Sequence, residues 1–141
     1  MINLTRLRQL ADVDWRLSAE ALGWVVLFRI SLCWLPFRTT WSAYRRLART
    51  WRRVPRPPAE GHFEEAVRMA CRLVPGATCL TRSFALSIML RRSGYPSEIR
   101  IGAAQEGGQF LAHAWVERGA GQPHEASFSY AAFPSPDDVL R

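Results

Sequence analysis

Lysine, paired cysteines and a long uninterrupted apolar run are all missing from this sequence of 141 residues. All 19 basic residues are arginine, a bias that we attribute to a GC-rich genome rather than to phosphate recognition. The 3 cysteines, Cys33, Cys71 and Cys79, cannot form a complete set of disulfides, and no CxxC or His-Cys cluster has the spacing of a zinc site. The cysteine content therefore favours a reducing cytoplasm, and we expect no metal centre.

Targeting and nucleotide-binding motifs are also missing. Asp12 and Asp14 precede the first apolar stretch, and no small-residue cleavage site follows it, so nothing indicates a secretory signal peptide. No glycine-rich phosphate loop occurs anywhere in the chain. We therefore expect no nucleotide or other organic cofactor.

The most apolar stretch is ALGWVVLFRISLCWLPF, residues 21–37, and it contains Arg29. A membrane-spanning helix needs about 20 apolar residues with no central charge, which this stretch does not supply. The pattern predicts a buried or interfacial helix that ends near Pro36, since proline interrupts helical hydrogen bonding. Packing against a neighbouring core is the simpler interpretation, but peripheral contact with a membrane through residues 21–35 stays open.

Positive charge is concentrated in the first part of the chain. Residues 1–58 hold 11 arginines and 3 acidic residues, a net charge of +8, whereas residues 59–141 hold 8 arginines and 9 acidic residues, a net charge of −1. A basic region of this kind can attract a membrane surface, nucleic acid or an acidic peptide, or it can simply be a solvated face.

A proline-rich segment divides the chain. The segment RTTWSAYRRLARTWRR, residues 38–53, has aromatic and apolar residues at spacings of three and four, which predicts an amphipathic basic helix. VPRPPAEG, residues 54–61, cannot continue that helix. We predict an N-terminal basic and apolar helical segment over residues 1–58 and a second unit over residues 59–141.

The second unit contains helical patterns followed by strand patterns. Helices are predicted over residues 62–76 and 78–94, and strands over SEIRIGA, which begins at Ser97, then over 110–117 and 123–130. Turns are predicted at the Gly-Gly of EGGQ and at GAG. Helices and strands in separate blocks predict an α+β fold with a small antiparallel sheet.

Cys79 stands out among the cysteines because it begins a predicted helix. The exposed N–H groups and the dipole at a helix start stabilise a thiolate. Cys71 falls inside the preceding predicted helix, where the simplest role is packing. A nucleophilic thiolate also needs a proton acceptor within reach, and histidine is the usual one.

His113 lies at the centre of the strand pattern FLAHAWVE, and Glu125 follows across a turn. If 110–117 and 123–130 pair as a hairpin, Glu125 can lie beside His113 and orient the imidazole. Cys79, His113 and Glu125 then form a candidate Cys-His-acid arrangement. Spacing alone does not require it, because a single histidine between apolar residues is more often a structural one.

Longer motifs resemble a known family. The segment CLTRSFALSIMLRRSGYPSEIRIGAAQEGGQFLAHAWVE, residues 79–117, is similar to the core of the transglutaminase-like B proteins of lasso-peptide biosynthesis. The Cys-Leu-x-Arg helix and the phrase Ala-His-Ala-Trp-Val-Glu carry the resemblance, and LCWLPFRTTW, residues 32–41, resembles an upstream segment of the family. The resemblance covers most of residues 25–134.

This resemblance implies a papain-like, transglutaminase-like core and a cysteine peptidase that removes the leader from a ribosomally made precursor. Cys79 matches the nucleophile and His113 matches the general base. The family normally has aspartate near the position of Glu125, so this chain departs from the pattern by one methylene group. The catalytic residues implied are therefore Cys79, His113 and Glu125.

The resemblance also implies partners. The chain is similar to the split form of the family, which works with a separate leader-recognition protein, the precursor peptide and a lasso cyclase. No nucleic acid is implied. Two other functions stay open: a Cys-dependent acyltransferase on the same scaffold, and a non-catalytic module that binds peptide or membrane.

Overall fold

Helices come first and a small sheet follows in the computed structural model, which describes residues 15–50, 57–119 and 131–139. The elements in chain order are α1 (Trp15–Trp34), α2 (Phe37–Ala48), α3 (Glu60–Leu73), α4 (Cys79–Arg92), β1 (Ser97–Glu106), β2 (Gln109–Arg118), β3 (Ala131–Ala132) and α5 (Pro136–Val139). The α+β class predicted from the sequence is confirmed.

The helix boundaries follow local sequence signals. α1 starts earlier than predicted and ends just before Pro36, and α2 starts immediately after that proline. The described part of the predicted 38–53 helix ends at Ala48, and residues 51–53 lie outside the described residues. The predicted linker over 54–61 ends earlier than expected, because α3 already begins at Glu60.

The sheet is antiparallel, with the strand order β2-β1-β3. β1 and β2 form the predicted hairpin, and its two-residue turn is Gly107-Gly108, with φ angles of 57° and 82°. Left-handed backbone at both turn positions is what a tight hairpin with the native strand twist requires, and glycine adopts it without strain. The sequence therefore predicted this hairpin correctly.

The structure describes a third strand that the sequence did not predict. The predicted strand 123–130 lies outside the described residues, so its expected pairing with 110–117 stays a prediction. The strand that the structure does describe, β3, pairs with β1 at Gly102 and Ala103, on the side of β1 away from β2. Strand order depends on which edge is free after folding, and a strand pattern in the sequence carries no information about that.

The hydrophobic core is centred on Phe84 of α4, which is fully buried. Its ring packs against aromatic rings from α1 and α2, with centroid distances of 5.0 Å to Phe28, 5.2 Å to Tyr44, 5.7 Å to Trp41 and 6.2 Å to Phe37. One hydrophobic cluster thus joins the N-terminal helices to the helix that starts at Cys79. The division of the chain into 1–58 and 59–141 stays a prediction from composition.

Candidate active site

Cys79 is the first residue of α4, as the sequence predicted. Thr78 caps the helix, and its side-chain oxygen accepts a hydrogen bond from the Thr81 N–H at 3.3 Å. The Ser83 hydroxyl donates to the Cys79 carbonyl oxygen at 2.8 Å. The thiol is partly exposed and stands beside N–H groups that have no partner within the helix, a position suited to stabilising negative charge.

Arg29 of α1 holds the turn that leads into this helix. Its Nε donates to the Pro75 carbonyl oxygen at 3.3 Å. Gly76, with a φ angle of 71°, lets the guanidinium pass, because a Cβ there would lie 2.6 Å from Arg29 Nη2. From the sequence, Arg29 is only a charge inside an apolar stretch. Its contact is with a turn 46 residues away, so no local pattern could have revealed it.

His113 lies in the middle of β2, opposite Gly102 of β1. Its ring is nearly parallel to that of Trp115, with the centroids 6.2 Å apart. A Cβ on Gly102 would lie 2.8 Å from Trp115 Cη2 and 2.5 Å from the Ala131 carbonyl oxygen. Glycine at this position therefore lets the buried Trp115 lie over the strand beside the histidine, whose own side chain stays partly exposed.

Cys79 and His113 line the same cavity, which has a volume of about 320 Å³. α4 supplies Cys79, Arg82 and Ser83 to its wall, since residues three and four apart share one helix face. β2 supplies His113 and Trp115. The structure thus brings together two of the three site residues predicted from the sequence, and both are accessible to solvent.

A group of charged side chains forms another part of the cavity wall. Glu64 of α3 accepts a hydrogen bond from Arg118 of β2 and pairs with Arg82 of α4 at 3.6 Å. Arg118 also pairs with Glu60 at 3.7 Å. These ion pairs join three elements around the cavity. Neither Arg118 nor Arg82 was predicted to line the cavity. The position of Arg82, three residues after Cys79 on the same helix, was a signal for Arg82.

Cys71 also lines this cavity, which the sequence analysis did not expect. Burial raises the pKa of the Cys71 thiol, and the nearby Arg82 guanidinium partly opposes that rise. A raised pKa keeps the thiol in its neutral, poorly nucleophilic form. Of the two thiols in the cavity, Cys79 has the surroundings of a nucleophile.

The third predicted member, Glu125, lies outside the described residues. Two acids that the structure does describe are already engaged: Glu117 accepts from Arg100 Nε at 3.1 Å, and Asp137 accepts from Trp41 Nε1 at 2.9 Å. Asp137 also pairs with Arg45 at 3.2 Å. It attaches α5 to α2, away from the cavity that Cys79 lines.

Among residues 15–50, 57–119 and 131–139, no three His, Cys, Asp or Glu side chains are grouped so as to hold a metal ion. Cys79 supplies a thiol and His113 an imidazole to the cavity.

Comparison with known proteins identifies the family. The sequence pattern of the transglutaminase-like superfamily matches residues 10–133, a range that includes Cys79, His113 and the whole sheet. No curated protein and no solved structure matches the chain. Members of this superfamily include cysteine peptidases and acyltransferases, and they are often cysteine-dependent enzymes. Because the match extends over most of its length and the α+β fold is consistent with a papain-like core, the chain belongs to the transglutaminase-like superfamily.

Proposed function

We propose that this protein is a cysteine peptidase that removes the leader from a ribosomally made lasso precursor peptide. The observation that carries the proposal is the single cavity lined by Cys79, at a helix start, and by His113. Membership of the transglutaminase-like superfamily supports cysteine chemistry. The resemblance of residues 79–117 to the lasso B proteins supports this particular substrate class.

The proposed reaction begins with transfer of the Cys79 proton to His113. The thiolate attacks the carbonyl carbon at the leader–core junction, and backbone N–H groups at the start of α4 receive the oxyanion. The imidazolium of His113 then protonates the departing amine of the core peptide, leaving the leader as a thioester on Cys79. Water hydrolyses the thioester and regenerates the thiol.

Glu125 is proposed as the acid that orients His113. The competing candidates support this choice, since Glu117 is paired with Arg100 and Asp137 with Arg45. An acid beside the imidazole fixes its tautomer and stabilises the imidazolium that forms during the reaction.

The freed amine of the core peptide is the group that a macrolactam needs. We therefore propose that a separate cyclase consumes the product and that a separate leader-recognition protein presents the precursor. All of these partners would meet in the cytoplasm. The three free thiols of this chain suit that compartment.

The test of the nucleophile uses the three cysteines as matched controls. A precursor peptide and leader-recognition protein of the lasso type are incubated with each variant, and the products are followed by mass spectrometry. Cys79→Ala should abolish cleavage, whereas Cys33→Ala and Cys71→Ala should keep it. Cleavage by folded Cys79→Ala would disprove the assignment.

The same assay separates the alternatives. Transfer of the leader acyl group to an added amine in preference to water would indicate an acyltransferase. Binding of precursor without cleavage, and without reaction of Cys79 with a thiol-directed peptide probe, would indicate a non-catalytic module.

The acid is tested by comparing Glu125→Gln with Asp137→Asn. Glu125→Gln should lower the cleavage rate by tenfold or more, on the order of the contribution of an acid-base partner. Asp137→Asn should leave the rate close to that of the parent protein, because Asp137 faces Trp41 and Arg45. A larger loss of cleavage rate in Asp137→Asn than in Glu125→Gln would show that Glu125 does not orient His113.

A further inference from the structure

α1 is apolar on both of its sides, although the described residues cover only one of them. Its inner face, Leu17, Ala21, Val25 and Phe28, is buried. The opposite side exposes a row of large apolar side chains that we call the outer face: Leu22, Val26, Leu27, Ile30 and Trp34, exposed by 36%, 37%, 48%, 54% and 84%. A helix that is apolar all round is normally buried in a large core or in lipid. The outer face therefore needs a covering.

The composition of the outer face indicates whether a protein or a lipid phase covers it. From Leu22 to Trp34 the helix runs about 18 Å, and its one charged residue in that stretch, Arg29, reaches towards Pro75 instead. Protein–protein interfaces mix apolar and polar groups, which provide specific hydrogen bonds. A strip without such groups is better suited to a fluid apolar phase.

Tryptophans stand at both ends of α1. Trp15 is 73% exposed and Trp34 is 84% exposed. The indole ring has an apolar body and a polar N–H, and it prefers the boundary between hydrocarbon and water. Two exposed indoles flanking an apolar strip are typical of a helix that lies in a membrane interface.

The net charge of the two N-terminal helices is complementary to anionic lipid headgroups. Residues 15–50 hold 6 arginines and a single acidic residue, Glu20, which gives a net charge of +5. Arg38, Arg46 and Arg49 on and just beyond α2 are exposed, whereas Arg45 is paired with Asp137. Basic residues close to a bilayer that contains acidic lipid each favour binding.

We propose that the outer face of α1 binds the surface of a membrane that contains anionic lipid. The helix is long and apolar enough to cross a bilayer by length and composition alone. Its inner face is packed against α3 and α4, however, so it lies flat in the interface with the rest of the protein on the aqueous side. The protein is thus a peripheral membrane protein, independently of what the Cys79 cavity does.

The test is co-sedimentation of the full chain with lipid vesicles. Parent protein should sediment with vesicles of phosphatidylcholine containing about one-third phosphatidylglycerol, and less with phosphatidylcholine alone or at high salt. Leu27→Glu combined with Ile30→Glu should weaken vesicle binding by about tenfold or more, because two exposed apolar contacts are replaced by repelled charges. Phe110→Glu, which alters a 79% exposed apolar residue on β2, is the matched control and should bind like the parent.

Tryptophan fluorescence assigns the binding to α1. Added anionic vesicles should shift the emission of the parent to shorter wavelength, and Trp34→Phe should reduce that shift. Three outcomes would overturn the proposal: parent protein that stays in the supernatant, a Leu27→Glu/Ile30→Glu variant that sediments like the parent, or a parent dimer that the double variant converts to a monomer without any vesicle binding. No peptide substrate enters the assay, so its result is separate from that of the peptidase test.

Discussion

Cys71 and Cys79 line one cavity, but the backbone gives them different surroundings. Cys79 begins a helix, at the end where the N–H groups point outwards, whereas Cys71 lies near the end of α3 and is partly buried. At the scale of single residues, position within a helix separates a candidate nucleophile from a packing thiol. The sequence was sufficient for this distinction, because both helices could be located from their periodicity.

The raised pKa of Cys71 predicts how the rate of alkylation of this thiol depends on pH. Thiolate is the reactive form, so near the ordinary thiol pKa iodoacetamide should modify Cys71 more slowly in the folded protein than in urea. The difference should narrow as the pH rises through the raised folded pKa. Because the pKa of Cys71 is higher in the folded than in the unfolded protein, the neutral thiol contributes to stability at pH values below its unfolded-state pKa. That contribution is lost as the pH rises through the folded-state pKa. Mass spectrometry of the Cys71 peptide measures both rates, and equal rates would contradict the assignment.

The residues around the two thiols were less predictable. Glu64 joins Arg82 and Arg118 across the cavity wall. Partners 18 and 54 positions apart in the chain become neighbours through tertiary packing, and no periodicity records such a pairing.

Between elements, the contact of α1 with the turn before α4 couples two helices. Arg29→Met should remove the hydrogen bond to the Pro75 carbonyl oxygen and lower the free energy of unfolding by about 1–3 kcal/mol. The turn that positions Cys79 should also loosen, so the rate of Cys79 alkylation should change. Urea unfolding and peptide mass spectrometry measure the two effects.

Arg68→Met is the matched control for this substitution. Arg68 pairs with Glu65 on the surface of α3, and an exposed pair of this kind contributes less than about 1 kcal/mol. Arg29→Lys, which keeps the charge but not the planar donor group, should recover only part of the lost stability. If Arg29→Met and Arg68→Met behave alike in both measurements, Arg29 does not position the turn.

In the sheet, one strand pairing could be predicted from the sequence and the other could not. Two adjacent glycines between alternating patterns were enough to predict the β1–β2 hairpin, because a tight turn is decided by neighbouring residues. The pairing of β3 with β1 was not predicted. That pairing depends on Gly102, where the absence of a side chain leaves room for Trp115 and for the Ala131 carbonyl oxygen. These neighbours come together only after the hairpin is packed.

At the scale of the whole molecule, the aromatic cluster around Phe84 predicts that the described helices and sheet unfold together. Phe28 of α1 is buried and its ring stacks on Phe84. Phe28→Ala should lower the free energy of unfolding by about 3–5 kcal/mol, a large share of the stability of an ordinary domain. Urea unfolding followed by tryptophan fluorescence and by far-ultraviolet circular dichroism should give coincident transitions for the parent and for the variant.

Phe110→Ala serves as the control, since the ring is 79% exposed and its loss should change stability by less than about 0.5 kcal/mol. Separate transitions by the two probes would instead favour independent units over 1–58 and 59–141. A Phe28→Ala effect as small as that of Phe110→Ala would contradict the shared core.

Local interactions are what the sequence by itself determined: the helix that begins at Cys79, the end of α1 before Pro36, the Gly107-Gly108 hairpin and the central place of His113 in β2. Each depends on residues within a few positions of one another. Tertiary structure alone decided that Cys79, His113 and Cys71 share a cavity, that Arg29 contacts the turn at Pro75, and which side of α1 is covered. An all-round apolar helix has no pattern that marks its inner side, so only packing against α3 and α4 could leave Leu27, Ile30 and Trp34 exposed.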